Sequence, residues 1–192
     1  MLNRRRSLLG YGKRLLYQLR NQSMSAGSHV DTGIPVLKAG LSVTIALDYT
    51  IITNPGGGTA LGALYKLMQM STSREICIGK YNGGDSKLNL WWYPTSNSNY
   101  TQLSNTTTNA GRKRIIITHE QNSNTITVYT KMDDSAVQTF TKSSTYVPIN
   151  QLLSLGYSSD EGRTTSLPEG TLNDISIYNY IWSQDQITEF MS

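Results

Sequence analysis

Carboxylates are the first residues to test for chemistry, because a retaining glycoside hydrolase needs two of them about 5 Å apart on one face. The sequence offers two adjacent pairs, Asp133-Asp134 and Asp160-Glu161. Both lie among turn residues, where neighbouring side chains diverge, so solvated turn acids are the expectation. A nucleophilic hydrolase needs a Ser or Cys held by a base. The chain has two histidines, His29 and His119, and one cysteine, Cys77. GYSSDEG is spaced wrongly for a nucleophile elbow. Cys77 falls in an apolar, strand-like run, where a buried inert thiol is the default. One cysteine closes no disulfide, and this His/Cys set carries no zinc spacing. Calcium would have to use Asn82 with Asp85, or Asp160 with Glu161, and neither belongs to a spaced ligand loop. The residues therefore point away from an enzyme and call for neither cofactor nor metal.

Two groups could bind instead of react. Trp91, Trp92, Tyr93 and Tyr100 fall within ten residues. With Leu88, Leu90 and Trp92 on a core face, alternation turns Trp91 and Tyr93 outward, and flat exposed aromatics suit sugar rings. The competing reading has these rings covering the second sheet face or packing under the polar loop 94–110. The second group is the opening stretch MLNRRRSLLGYGKRLLYQLR. Arg4, Arg5, Arg6, Lys13, Arg14 and Arg20 make it basic, and it has no acid. It holds 6 of the 17 Lys and Arg, which leaves the remainder with 11 basic against 13 acidic residues. So local an asymmetry marks an interaction arm. Leu8, Leu15, Leu16 and Leu19 share one face at helical spacing, with Leu9 beside them, although Gly10 and Gly12 weaken a helix.

Several partners are conceivable for such an arm. Clustered Arg and Lys hold phosphates without sequence choice. The body, however, has one basic cluster, Arg112-Lys113-Arg114, and no nucleic-acid motif, which argues against nucleic acid. No apolar run approaches membrane-spanning length, so no membrane partner is expected. Arg5-Arg6-Ser7-Leu8-Leu9 is similar to a twin-arginine start, but Lys13, Arg14 and Arg20 interrupt the apolar segment that export requires. Leucines interleaved with arginines suit a groove on a protein neighbour. NQSMSAGSH then reads as a polar linker.

From Leu41 onward the period is two. LSVTIALDYTII sets Leu41, Val43, Ile45, Leu47, Tyr49 and Ile51 on one face, and Ser42, Thr44, Ala46, Asp48 and Thr50 on the other. REICIGKY and KLNLWWY flank the turn NGGD as a hairpin. RIIITHE and NTITVYTK form a second hairpin, and AVQTFTK, LLSLGY and TLNDISIYNYI add strands. ALGALYKLMQM is ambiguous between strand and helix, and SNSNYTQLSNTTTNAG is a polar loop or weak edge strand. Eight or more strands with turns between them predict a sandwich or barrel. Near the end, Ser183 and Gln186 form a capping box with Trp182 and Ile187 at staple positions. This predicts a helix of about two turns packing Ile187 and Phe190 on the sandwich edge.

Three segments together resemble the laminin-G-like, concanavalin A-like lectin/glucanase sandwich: RKRIIITHEQNSNTITVYTKMDDSAVQTFT, LLSLGYSSDEG, and EGTLNDISIYNYIWSQDQITEFMS. In the last of these, Gly170, Leu172, Asp174, Ile177, Tyr178, Asn179 and Ser183 match the family's final strand and closing helix. Met132-Asp133-Asp134-Ser135 replaces the usual Asn-Gly turn. Glucanases of this architecture carry a Glu-x-Asp run, which is absent. The resemblance implies an all-β jelly roll of two antiparallel sheets with a short C-terminal helix, and leaves function open. The start MLNRRRSLLG is similar to the N-termini of virion structural proteins of tailed, crAss-like phages of gut Bacteroidetes. Together these imply an arm over residues 1–29 and a lectin-like sandwich over 30–192. The function expected first is a non-enzymatic virion protein in capsid decoration, a head fibre or the tail. The arm would dock on other virion proteins, the sandwich would adhere weakly to host-associated glycans, and copies would form a homo-oligomer. The alternative is a free-standing carbohydrate-binding module.

Overall fold

The computed structural model describes residues 12–25, 28–35, 42–52, 65–69, 76–80, 89–92, 99–102, 110–120, 125–143, 152–155 and 168–192. In chain order the elements are β1 (Leu15–Met24), β2 (Val30–Pro35), β3 (Val43–Ile51), β4 (Tyr65–Gln69), β5 (Ile76–Lys80), β6 (Asn89–Trp92), β7 (Asn99–Gln102), β8 (Gly111–Glu120), β9 (Thr125–Met132), β10 (Gln138–Ser143), β11 (Leu152–Leu155), β12 (Gly170–Tyr178) and α1 (Gln184–Met191). The strands make two six-stranded sheets, ordered β1-β12-β3-β8-β9-β10 and β2-β11-β4-β5-β6-β7. Within the first sheet every ladder is antiparallel, and so is every ladder of the second. The all-β jelly-roll class expected from the sequence is the class observed.

The core follows from the period of two. Val43, Ile45, Leu47, Tyr49 and Ile51 of β3 are buried together with Ile115 and Ile117 of β8, Ile126 and Val128 of β9, and Ile175 and Ile177 of β12. Leu153 and Leu155 of β11 belong to the same cluster and come from the opposite sheet. β3 is buried on both faces because α1 lies on the other side of the sheet. Ala46 and Ile116 form a second, smaller cluster with Ile187 and Met191 of the helix. The helix thus sits on the outer face of the sheet, over β3, β8 and β9. The sequence suggested an edge position, but an outward Ala46 beside an outward Ile116 leaves an apolar seat in mid-sheet.

Several buried polar groups have specific partners. Tyr49 is fully buried and its hydroxyl donates to the Pro168 carbonyl at 2.5 Å. Gly170 lies against it; a Cβ there would collide with the Thr50 carbonyl oxygen and the Tyr49 ring. Lys113 is also fully buried, and its Nζ lies 3.2 Å from a carboxylate oxygen of Asp133. Asp133 takes φ 50° in the turn closed by the Ser135 amide donating to the Met132 carbonyl. Aspartate tolerates that left-handed conformation better than most residues, which explains how Asp133 serves where an Asn-Gly turn is usual.

The N-terminal segment departs from expectation. Residues 15–24 are neither arm helix nor linker but the strand β1, paired with β12 from Leu15–Tyr178 to Met24–Gly170. The register shifts between Leu15 and Tyr17. That irregularity lets Leu16, Tyr17 and Leu19 all pack on the core, and it breaks the alternation that marks a strand. The same leucines then mimic a helical face. β2 falls in VDTGIP, which carries too few apolar residues to announce itself.

Candidate functional site

The structure divides the basic arm. Leu15, Leu16 and Arg20 belong to β1, and Arg20 Nε lies 3.1 Å from Asp174 of β12. The chain just before β1 is clamped by Asn179. Its Oδ1 accepts from the Arg14 amide at 2.7 Å, and its Nδ2 donates to the Gly12 carbonyl at 3.0 Å. Its backbone amide donates to the Arg14 carbonyl at 3.1 Å. The Lys13 ammonium stands 5.4 Å from the Tyr180 ring centroid, within cation–π range. Arg4, Arg5, Arg6, Leu8 and Leu9 lie outside the described residues.

The aromatic candidates fall on the second sheet. Trp91 of β6 is directly opposite Cys77 of β5 and Tyr100 of β7, and Trp92 is opposite Ile76 and Asn99. Three successive strands therefore bring Cys77, Trp91 and Tyr100 into one row, with β7 the outermost described strand. The NGGD hairpin pairing is as expected, and the weak edge strand is real. Tyr93, Asn82, Asp85, Asp160 and Glu161 lie outside the described residues. Among the described residues no group of three His, Cys, Asp or Glu is placed to hold a metal. His119 is buried at a strand end opposite Val43 and Ile126.

The outer face of the first sheet carries a polar constellation that the sequence reading missed. One transverse row runs Arg20, Asp174, Asp48, Arg114, Lys131 across β1, β12, β3, β8 and β9. Two carboxylates thus occupy directly opposed positions on adjacent strands. Each is held by its own guanidinium. Arg112 grips Asp48 with Nη2 at 2.5 Å and Nε at 3.0 Å, while Arg20 holds Asp174. Asn173 adds a bond from Nδ2 to Asp48 at 2.9 Å and another to the Thr50 hydroxyl. A register irregularity between Leu172 and Asp174 separates the two ladder positions. It leaves Asn173 bonded to Asp48 and Asp174 bonded to Arg20, both partners on the outer row. The signal was present in LNDIS, where two polar residues interrupt the alternation.

The neighbouring charges act on one another across this face. The hydrogen bond to Asp48 raises the Arg112 guanidinium above its ordinary value. Burial, and then the neighbouring Arg112 charge, lower Arg114. Arg114 Nη1 donates to the Phe190 carbonyl at 3.2 Å, and Lys131 Nζ donates to the Ser192 carbonyl at 2.9 Å. α1 has no basic residue in its own last turn. The sheet supplies the two cations that its carboxyl end attracts.

No family model matches this sequence, and a search of characterised proteins returns no relative. Solved structures do match. The Ruminococcus gnavus IT-sialidase CBM40 bound to α2,3-sialyllactose superposes with TM-score 0.62 at 13% identity, over 92% of this chain and 98% of that one. The same CBM40 bound to α2,6-sialyllactose gives 0.62 at 12%. The leech intramolecular trans-sialidase gives 0.61 at 15% identity, over 92% of this chain but 28% of its own length. None of these neighbours is a virion protein. Likeness at such identities establishes the fold alone: this chain is a two-sheet antiparallel β-sandwich with the fold seen in these CBM40 structures.

Proposed function

We propose that the chain is a non-catalytic carbohydrate-binding module. The observation that carries this reading is the pattern of coverage. The chain spans 98% of a carbohydrate-binding CBM40 structure and only 27% and 28% of two sialidase chains. A match of this extent supports the reading of a single binding module. The opposed positions of Trp91 and Tyr100 support the reading from within this chain, because aromatics on one sheet face supply a platform for sugar rings. We assign Trp91, Tyr93 and Tyr100 as the platform, with Trp92 on the opposite face of the sheet. A virion-decoration role finds no support among the neighbours.

Calorimetric titration of the whole chain with 3′- and 6′-sialyllactose, beside a glycan array, tests the proposal. Binding that falls at least tenfold in Trp91→Ala, with an unchanged unfolding temperature, is the expected result. Absence of any glycan binding by the native chain would sink it.

A further inference from the structure

A groove of about 560 Å³ opens between α1 and the β9–β10 hairpin. Its floor is apolar. Ile187 and Met191 face it from the helix, the half-buried Tyr129 lies beneath, and Val137, 42% exposed, forms the opposite wall. Its rim is hydroxyl and amide, from Thr139 and Gln184 among others. Tyr129 and Thr139 are directly opposed in the ladder. They therefore present their side chains next to one another on the outer face. Among the described residues no charged side chain lines the groove, but Ser192 does, and its carbonyl holds the Lys131 ammonium at 2.9 Å.

This chemistry selects its ligand. An apolar floor containing an aromatic ring, bordered by neutral hydrogen-bonding groups, matches a sugar ring with its C–H face and hydroxyl edge. An anionic sugar would find no lining side chain to answer its charge, and the one ammonium at the edge, that of Lys131, is already bonded to Ser192. The volume lies within the range of small-ligand sites. We propose that this groove binds a neutral saccharide, separately from the aromatic row of β6 and β7. The inference rests on the carbohydrate-binding reading and adds to it a second site with a stated preference.

The test uses the whole chain, titrated with cellotetraose, xylotetraose and mannotetraose, beside 3′-sialyllactose as the anionic comparison. Two exposed positions are altered, Thr139→Arg to fill and charge the groove and Val137→Glu to charge its wall. Neither side chain is in the core, and an unchanged unfolding temperature verifies each fold. The expected result is that at least one neutral tetraose binds and is weakened tenfold or more by either variant. Trp91→Ala should leave that binding intact. If the native chain binds a neutral tetraose and both variants bind it equally well, the groove is not the site, while the carbohydrate-binding reading stands. If the native chain binds sialyllactose alone, the inference is again overturned and the reading stands. If it binds no glycan, both fall.

Discussion

Tyr49 shows how much a single residue can report at this fold's centre. Its ring is fully buried, its hydroxyl is bonded to the Pro168 carbonyl, and burial pushes its ionisation well above the usual tyrosine value. The sign of the pH effect follows. An unfolded tyrosine loses its proton near pH 10, whereas the folded one keeps it. Above that pH the unfolded state binds fewer protons, so stability is fully present below about pH 10 and falls as pH rises beyond it. Urea unfolding followed by circular dichroism from pH 8 to 11.5 should show that decline. Tyr49→Phe should lower stability at neutral pH by about 1 kcal/mol through the lost hydrogen bond, yet flatten the alkaline decline. An unchanged slope in the variant would assign the pH dependence to other groups. The burial of Tyr49 was legible from alternation alone. The oxygen that receives its proton was not, because Pro168 is 119 residues away.

At the scale of elements, α1 is specified twice. Its own sequence supplies the start: the Ser183 hydroxyl accepts from the Gln186 amide, and the Gln186 side chain accepts from the Ser183 amide. Trp182 and Phe190 pack with ring centroids 5.6 Å apart and help to hold it down. Its end depends on the sheet, through Arg114 and Lys131. Ser183→Ala should therefore cost about 1 kcal/mol and speed amide exchange in the first turn while the last turn stays protected. Exchange that rises evenly along the helix would mean that the cap and the sheet contacts act as one unit. The capping box was visible as a spacing of three residues. The seat of the helix was not, because its apolar patch is assembled from β3, β8 and β9, and its cationic end from β8 and β9.

For the whole molecule the decisive element is β1, which closes one side of the first sheet and brings Leu16, Tyr17, Leu19 and Met24 onto the core. Removing residues 1–24 bares the hydrogen-bonding edge of β12 and uncovers apolar surface. The shortened chain should unfold at lower urea and self-associate in size-exclusion chromatography. A monomer with an unchanged midpoint would show β1 to be dispensable, and would restore the N-terminal stretch to the role of a free arm. The sequence by itself determined the strand class, the core face of β3, the hairpin of β8 and β9 and the helix cap. All of these are set by alternation or by contacts a few residues apart. Tertiary structure alone decided that β1 belongs to the sheet and that Asp48 and Asp174 meet in one row. It also decided that a groove opens beside α1. The reason is physical: these features join segments more than 40 residues apart in sequence or rest on ladder irregularities, and sequence periodicity records neither pairing partner nor register shift.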